Sequence, residues 1–221
     1  MKTTGKGCAK ILIVEDHPLI RVGLSHRIST QSDMLVCGEA DNQIEGYRLI
    51  RETNPDLVIA DISLKCGNGI ELIKQIAGPC PRVKTLVLSC YSETLYAERA
   101  LRAGAMGYIN KQEANDLVVT AIRTILNGGR FLSPGLTQIL LHQAVAAQTT
   151  AAVDALQRLS NRELEIFQLI GRGMTSGVIA KQLHLSVHTI ESHREKIRRK
   201  LRVKGRVQLM QEALNWAMGK R

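Results

Sequence analysis

The sequence predicts two folded parts: a doubly wound, five-stranded parallel α/β domain, followed by a small all-α domain. Two observations carry the first prediction. Short apolar runs alternate with amphipathic stretches five times over residues 11–126. That is the repeat of a parallel sheet covered by helices on both faces. Four of the five runs also lead into polar residues: Glu15-Asp16, Asp61, Ser89 and Lys111. The second prediction rests on charge and capping. Residues 1–150 carry 16 Lys+Arg against 14 Asp+Glu, whereas residues 151–221 carry 14 against 6. The basic last third has no strand-like run and opens with a helix-capping signal.

The elements follow in order. Ile11–Val14 reads as the first strand, and Pro18 suits the first turn of a helix reaching Ser29. Leu19, Val22, Leu24 and Ile28 are expected on its inner face. Met34–Cys37 is the second strand. Gln43–Thr53 is a helix, with Ile44, Tyr47, Leu49 and Ile50 inward, ended by Pro55. Leu57–Ala60 is the third strand, buried on both faces, with Asp61 at its carboxyl end. Gly67 and Gly69 mark a loop before a helix bearing Ile70, Leu72, Ile73 and Ile76. Thr85–Leu88 is the fourth strand, Glu93–Arg102 a helix, Met106–Ile109 the fifth strand and Asn115–Leu126 the last helix of this part.

In open α/β sheets, ligands gather at the carboxyl edge of the strands. If the first and third strands are neighbours, Glu15, Asp16 and Asp61 converge there. Three adjacent carboxylates are unfavourable without a cation. A hard oxygen set of this kind suits Mg2+.

The stretch 131–154 is rich in Ala, Gln, Thr and Leu and reads as a partly helical linker between domains 1–130 and 155–221. Ser160-Asn161-Arg162-Glu163 then fits a capping box. A short helix over Val178–Leu183, a turn at His184-Leu185 and a longer helix to about Leu201 describe a helix-turn-helix. Arg194–Arg206 alone holds eight Lys/Arg, so a polyanion such as DNA is the expected partner. A last helix, Arg206–Met218, carries Val207, Met210, Leu214 and Ala217 at three- and four-residue spacing. That stripe is expected to be core rather than interface.

No run approaches the length of a bilayer span, and no long apolar segment opens the chain, so a cytoplasmic protein is expected. The five cysteines form no C-x-x-C pair and no zinc spacing, and they are expected to be free thiols, with Cys66 a loop thiol.

With these motifs in place, the chain resembles bacterial two-component response regulators of the LuxR/NarL type. The receiver side rests on Leu12-Ile13-Val14-Glu15-Asp16-His17-Pro18, Asp56-Leu57-Val58-Ile59-Ala60-Asp61 and Ala103–Lys111. The output side rests on Leu159–Glu163, Ser186–His193 and Lys196–Leu201. The resemblance implies that Asp61 is the phosphoacceptor, phosphorylated by a sensor histidine kinase. It implies Mg2+ on Glu15, Asp16, Asp61 and the Ser63 carbonyl. Lys111 and Ser89 would meet the phosphoryl oxygens, and Tyr108 would then swing inward. A homodimer would form on phosphorylation and bind promoter DNA to regulate transcription. Ser186, Val187, Thr189, Ser192, His193, Arg194, Lys196 and Lys200 would lie against that DNA.

The chain also departs from the family pattern. Lys65 stands where many relatives have proline, and its role is left open. Thr175–Val178 replaces a stretch that usually carries Lys and Glu. Glu191 and Glu195 would either accept from a cytosine amino group or face solvent. Two other readings compete. One is a Mg2+-dependent phosphohydrolase, which the absence of an acid at Ser63 disfavours. The other is a DNA-binding protein whose receiver only dimerises.

Overall fold

The computed structural model describes residues 7–90, 93–133, 135–138 and 156–218. The chain divides into two compact units, Met1–His142 and Gln143–Arg221.

The first unit alternates β1 (Ala9–Val14), α1 (Pro18–Ser29), β2 (Met34–Ala40), α2 (Gln43–Thr53), β3 (Leu57–Asp61), α3 (Gly69–Ala77), β4 (Lys84–Ser89), α4 (Glu93–Ala103), β5 (Gly107–Asn110) and α5 (Ala114–Leu126). The five strands are all parallel, in the order β2-β1-β3-β4-β5. The order reverses between β1 and β3, so the crevice of this sheet opens at their carboxyl ends.

Alternation of side chains along each strand builds two cores. Ile11, Ile13, Leu57, Ile59 and Leu88 face α1 and α5, meeting Leu24, Ile28, Val118, Ile122 and Ile125. Leu12, Val14, Val58 and Ala60 face the other way, onto Ile50, Leu72 and Ile76. Burying each large aliphatic side chain contributes about 1.5–3 kcal/mol. Helix ends follow local chemistry. The Asn42 side chain caps α2 by accepting from the Glu45 amide at 2.9 Å. Asn54 ends it in the left-handed region, at φ 46°, just before Pro55.

Three expected core positions are exposed instead: Leu19 (88%), Val22 and Ile44. The buried stripe of α1 runs through Leu24 and Ile28, with Ile20 packed partly against it. Leu19 and Val22 lie about 100° and 200° around the helix from Ile20. On α2 the inward line is Gly46 and Ile50, and Ile44 points away from it. The first unit also runs past residue 130. Phe131 accepts from the Tyr108 amide and donates to the Met106 carbonyl, both at 3.0 Å, and Leu136 is buried. The remainder of the expected linker, residues 139–154, lies outside the described residues.

The second unit is helical: α6 (Asn161–Gly171), α7 (Ser176–Gln182), α8 (Val187–Leu201) and α9 (Gly205–Ala217). The capping box opens α6, with the Glu163 amide donating to Ser160 Oγ (3.2 Å) and the Ser160 amide to Glu163 Oε2 (2.7 Å). Helix α6 is buried along nearly its whole length, as the central helix of a small bundle must be. Gly171 lets α9 approach closely, since a β-carbon there would stand 2.4 Å from the Ala213 carbonyl oxygen. His184 turns the chain between α7 and α8 at φ 50°. Of α9, only Leu209 and Ala213 are buried, so the stripe expected in the core is on the surface. No helix of the described residues is long and apolar enough to cross a membrane.

Candidate functional site

The carboxyl edge of the sheet gathers the strand-end residues into one pocket. Glu15 and Asp16 follow β1, Asp61 ends β3, Ser89 ends β4 and Lys111 follows β5. Parallel register aligns them: Val14 stands beside Ala60, Asp61 beside Leu88, and Ser89 beside Asn110. Glu15, Asp61 and Ser89 are buried, and the Lys111 side chain is nearly so. The Lys111 ammonium donates to Glu15 Oε1 and Asp61 Oδ2, each at 2.8 Å. Its own amide donates to the Ser89 carbonyl at 2.9 Å, which ties β5 to the end of β4. Tyr108 already lies inward, fully buried on β5. The Ser63 backbone bridges to Asn68 across the β3–α3 loop.

Burial dominates the electrostatics. It pushes the Asp61 carboxyl up to about 8; Lys111 counteracts this, and the like charge of Glu15 adds to it. Asp16 is raised by burial too. Burial also works against the Lys111 charge, but Asp61 and Glu15 outweigh it and hold the ammonium above its ordinary value. Glu15 Oε2 and Asp16 Oδ1 are buried, the first 2.8 Å from the Lys111 ammonium and the second 2.7 Å from His17 Nδ1. Glu15, Asp16, His17 and Asp61 each offer one ligand atom, all within 4.8 Å of one another. The carboxylates gathered at this edge are a hard oxygen set that fits a divalent cation.

Two supporting residues escaped the sequence reading. His17 was legible only as part of a motif, and the structure places its ring against the acid pair. Arg21 donates to the Glu15 carbonyl at 2.6 Å and so braces the β1 end. The signal for Arg21 was its place one turn into α1, which says nothing about what it reaches. Lys65 is engaged with Asp41 at 2.6 Å, on the rim. That hydrogen bond is the main reason the Asp41 carboxyl sits below its ordinary value.

Gly69 controls the approach of α3 to the phosphoacceptor strand. A β-carbon there would stand 2.0 Å from the Asp61 carbonyl oxygen, a backbone atom that cannot move aside alone. Gly69→Ala is therefore expected to displace the β3 end and destabilise the first unit by several kcal/mol. Urea unfolding followed by circular dichroism checks this; an unchanged midpoint would show that the loop yields freely.

In the second unit, α8 is capped by Ser186, whose Oγ accepts from the Thr189 amide at 3.0 Å and pairs with Thr189 Oγ1 at 2.8 Å. Ile190 and Ile197 face inward. His188, Ser192, Lys196 and Arg199 are exposed, at a spacing that keeps them on one side of the helix. Val187 is exposed at the helix start. His193 and Arg194 sit on the flanks, half-buried, and Arg194 donates to Ser176 Oγ at 3.3 Å. Burial lowers the His193 ring below its ordinary value. Lys200 reaches back to Glu163 at 2.6 Å. Glu191 accepts from Ser176 Oγ (2.5 Å) and from Arg206 (3.0 Å), so it ties α7, α8 and α9 together. Glu195 pairs with Arg198.

A parallel α/β unit with this acid–lysine pocket, joined to a helix-turn-helix unit, defines the two-component response regulators. Residues 11–123 match the response regulator receiver domain, and residues 157–213 match the bacterial regulatory proteins of the luxR family. The chain belongs to the LuxR-family response regulators, with a receiver domain followed by a LuxR-type DNA-binding domain. It is 34% identical over 209 residues to the oxygen regulatory protein NreC of Staphylococcus carnosus, spanning 93% of this chain and 96% of that one. NreC of Staphylococcus aureus is 35% identical over the same shares. Among solved structures, a LuxR-family two-component response regulator from Aurantimonas sp. is 34% identical, with a TM-score of 0.59 over 63% of this chain and 99% of that one.

Proposed function

We propose that Asp61 accepts a phosphoryl group from a sensor histidine kinase and that this switches dimerisation and promoter binding to regulate transcription. The observation that carries the reading is the Lys111 ammonium, 2.8 Å from both Asp61 and Glu15 in a buried pocket. An Asp61 carboxylate oxygen attacks the phosphorus, the bond to the donor imidazole breaks, and an acyl phosphate forms. Glu15, Asp16, Asp61 and the Ser63 carbonyl would hold Mg2+, which offsets charge on the transferring oxygens. Lys111 stays beside the new dianion and pairs with it. Ser89, at the β4 end, and Tyr108, behind it on β5, are the elements whose positions the dianion biases. Beyond slow loss of its own phosphoryl group, the protein performs no catalysis in this reading. It works in the cytoplasm, where promoter DNA lies.

On the output side, the helix from Val187 to Lys200 enters the major groove. Of the residues expected at DNA, Ser192 and Lys196 are exposed on the reading side, and His188 and Arg199 extend that side. Val187, Ser186 and Thr189 lie at the entrance, and His193 and Arg194 line the flank. Lys200, held by Glu163, serves the fold before it serves DNA. The exposed apolar stripe of α9 offers a surface on which two output units pair.

Phosphodonor treatment with mass spectrometry, and DNA binding measured on the same samples, tests the whole reading. One added phosphate and at least about tenfold tighter operator binding are expected, a change of 1.4 kcal/mol. Phosphate uptake without any change in binding would sink the coupling. Salt titration tests the DNA arm separately. Affinity should fall linearly in log salt, by about 0.9 per phosphate contacted. Lys196→Ala and Arg199→Ala should each flatten the slope by about one unit. Lys200→Ala should leave the slope and lower stability instead.

A further inference from the structure

Helix α8 carries two acids, Glu191 and Glu195, on a unit otherwise rich in Lys and Arg. Their places around the helix differ. The line opposite the buried Ile190 and Ile197 runs through His188 and Arg199, and Ser192 and Glu195 lie about 30° to either side of it. Glu191 is about 70° from that line and Arg198 about 90°. His188, Ser192, Glu195 and Arg199 are all exposed.

The two acids are also held differently. Glu191 is engaged within the fold: Ser176 of α7 donates to it at 2.5 Å and Arg206 of α9 at 3.0 Å, and its side chain is 33% exposed. Glu195 is 65% exposed, and its ion-pair partner, Arg198, lies on the same helix one turn further on. An exposed pair of this kind is weak and readily exchanged. Released from Glu195, Arg198 sits on the flank of the helix, where the phosphate backbone runs beside a helix in the groove.

A carboxylate at the centre of a face that meets DNA is repelled by the phosphates, and only a hydrogen-bond donor on a base edge offsets this. In the major groove two bases present such a donor. Adenine sets the N7 acceptor beside its N6 amino group, whereas cytosine presents its N4 amino group alone. Guanine and thymine turn acceptors toward the acid and reject it.

We propose that Glu195 sets the sequence specificity of α8 by accepting a hydrogen bond from the N4 amino group of a cytosine, so that each site read by one output unit carries a C·G pair at one fixed position. The inference rests on the reading in which α8 enters the major groove. The acid weakens binding to every sequence that lacks the cytosine, which sharpens the choice. Arg198 exchanges its pair with Glu195 for a phosphate as the cytosine takes the carboxylate.

Site selection from random duplex DNA tests this, with full-length, phosphodonor-treated wild type, Glu195→Gln and Glu195→Ala. Fluorescence anisotropy on the selected duplex and its single-base variants measures each preference. Wild type should enrich cytosine at one position and bind about tenfold or more weakly when that pair is replaced. A duplex whose cytosine there lacks the amino group should lose as much with wild type, and no more than about twofold with Glu195→Ala. Glu195→Gln should move the preference to adenine, whose N6 and N7 an amide matches. Both variants should bind random DNA more tightly than wild type, because the repulsion is gone, and should keep the wild-type preference at all other positions. Identical selected sites in all three proteins, a loss spread evenly over every position, or no loss on the amino-free cytosine would overturn the inference and leave α8 as the reading helix. A wild type that selects no sequence at all would overturn the groove reading itself, and the inference with it.

Discussion

Asp61→Asn should abolish phosphoryl uptake from acetyl phosphate and, in the same protein, stabilise the metal-free receiver. Both effects come from one carboxylate. Asparagine has no oxygen nucleophile of comparable strength, so no acyl phosphate forms. It also removes a charge that burial opposes and that Glu15 repels. The folded-state value, about 8, lies above the ordinary 3.8, so the unfolded chain releases this proton first. The stabilising contribution of Asp61 is complete below about pH 4 and is lost progressively until about pH 8. The advantage of asparagine therefore grows across that window and levels off above it, reaching about 1 kcal/mol or more. Melting temperatures in a chelator from pH 5 to 8.5, with mass spectrometry after phosphodonor treatment, measure the two effects. Full phosphorylation of the variant would exclude Asp61 as acceptor. A variant less stable than wild type at every pH would show that Lys111, left with fewer carboxylates, matters more than their repulsion.

Charged residues on the α9 stripe should cost at least about a hundredfold in operator affinity while leaving the fold intact. Val207 (73% exposed), Met210 (50%), Leu214 (44%) and Met218 (55%) run along one side of the helix. The core contacts of α9 are made elsewhere, by Leu209 and Ala213. Met210→Asp and Leu214→Lys therefore place charge on the surface of a monomer and within the proposed pairing surface of a dimer. A desolvated, unpaired charge costs several kcal/mol. Loss of paired binding converts a two-site affinity into a one-site affinity, which is the source of the hundredfold estimate. Binding to a full operator and to a half-site, with Trp216 fluorescence as the check on folding, separates the outcomes. Half-site affinity should be unchanged. Equal losses on both DNAs would place the stripe at the DNA or in the fold rather than between subunits.

Much of this protein is written in local sequence. Strand runs, the helix bounds at Pro18 and Pro55, the capping box at Ser160 and the helix-turn-helix all depend on neighbours within a few residues, and the structure reproduces each, with the second strand continuing three residues past Cys37 to Ala40. The acid pair, Asp61, Ser89 and Lys111 were legible for a related reason. A parallel sheet with regular register must bring the ends of its strands to one edge, whatever the helices do. Side-chain direction was less legible. Leu19, Val22 and Ile44 are apolar, yet a helix turns 100° per residue, and only the position of the sheet decides which apolar residues meet it. The same holds for α9, where α6 claims Leu209 and Ala213 and leaves the stripe outside. Pairings across distant segments were not legible at all. Lys200 with Glu163, Glu191 with Ser176 and Arg206, Lys65 with Asp41, and His17 turned onto the acid pair are contacts that charge and spacing permit in many combinations. The chain by itself determined the fold, the order of its elements and the acidic edge, because these follow from local periodicity and topology. Tertiary structure decided which face of each helix is buried and which charged groups are already spent on one another, because both depend on where other elements come to rest.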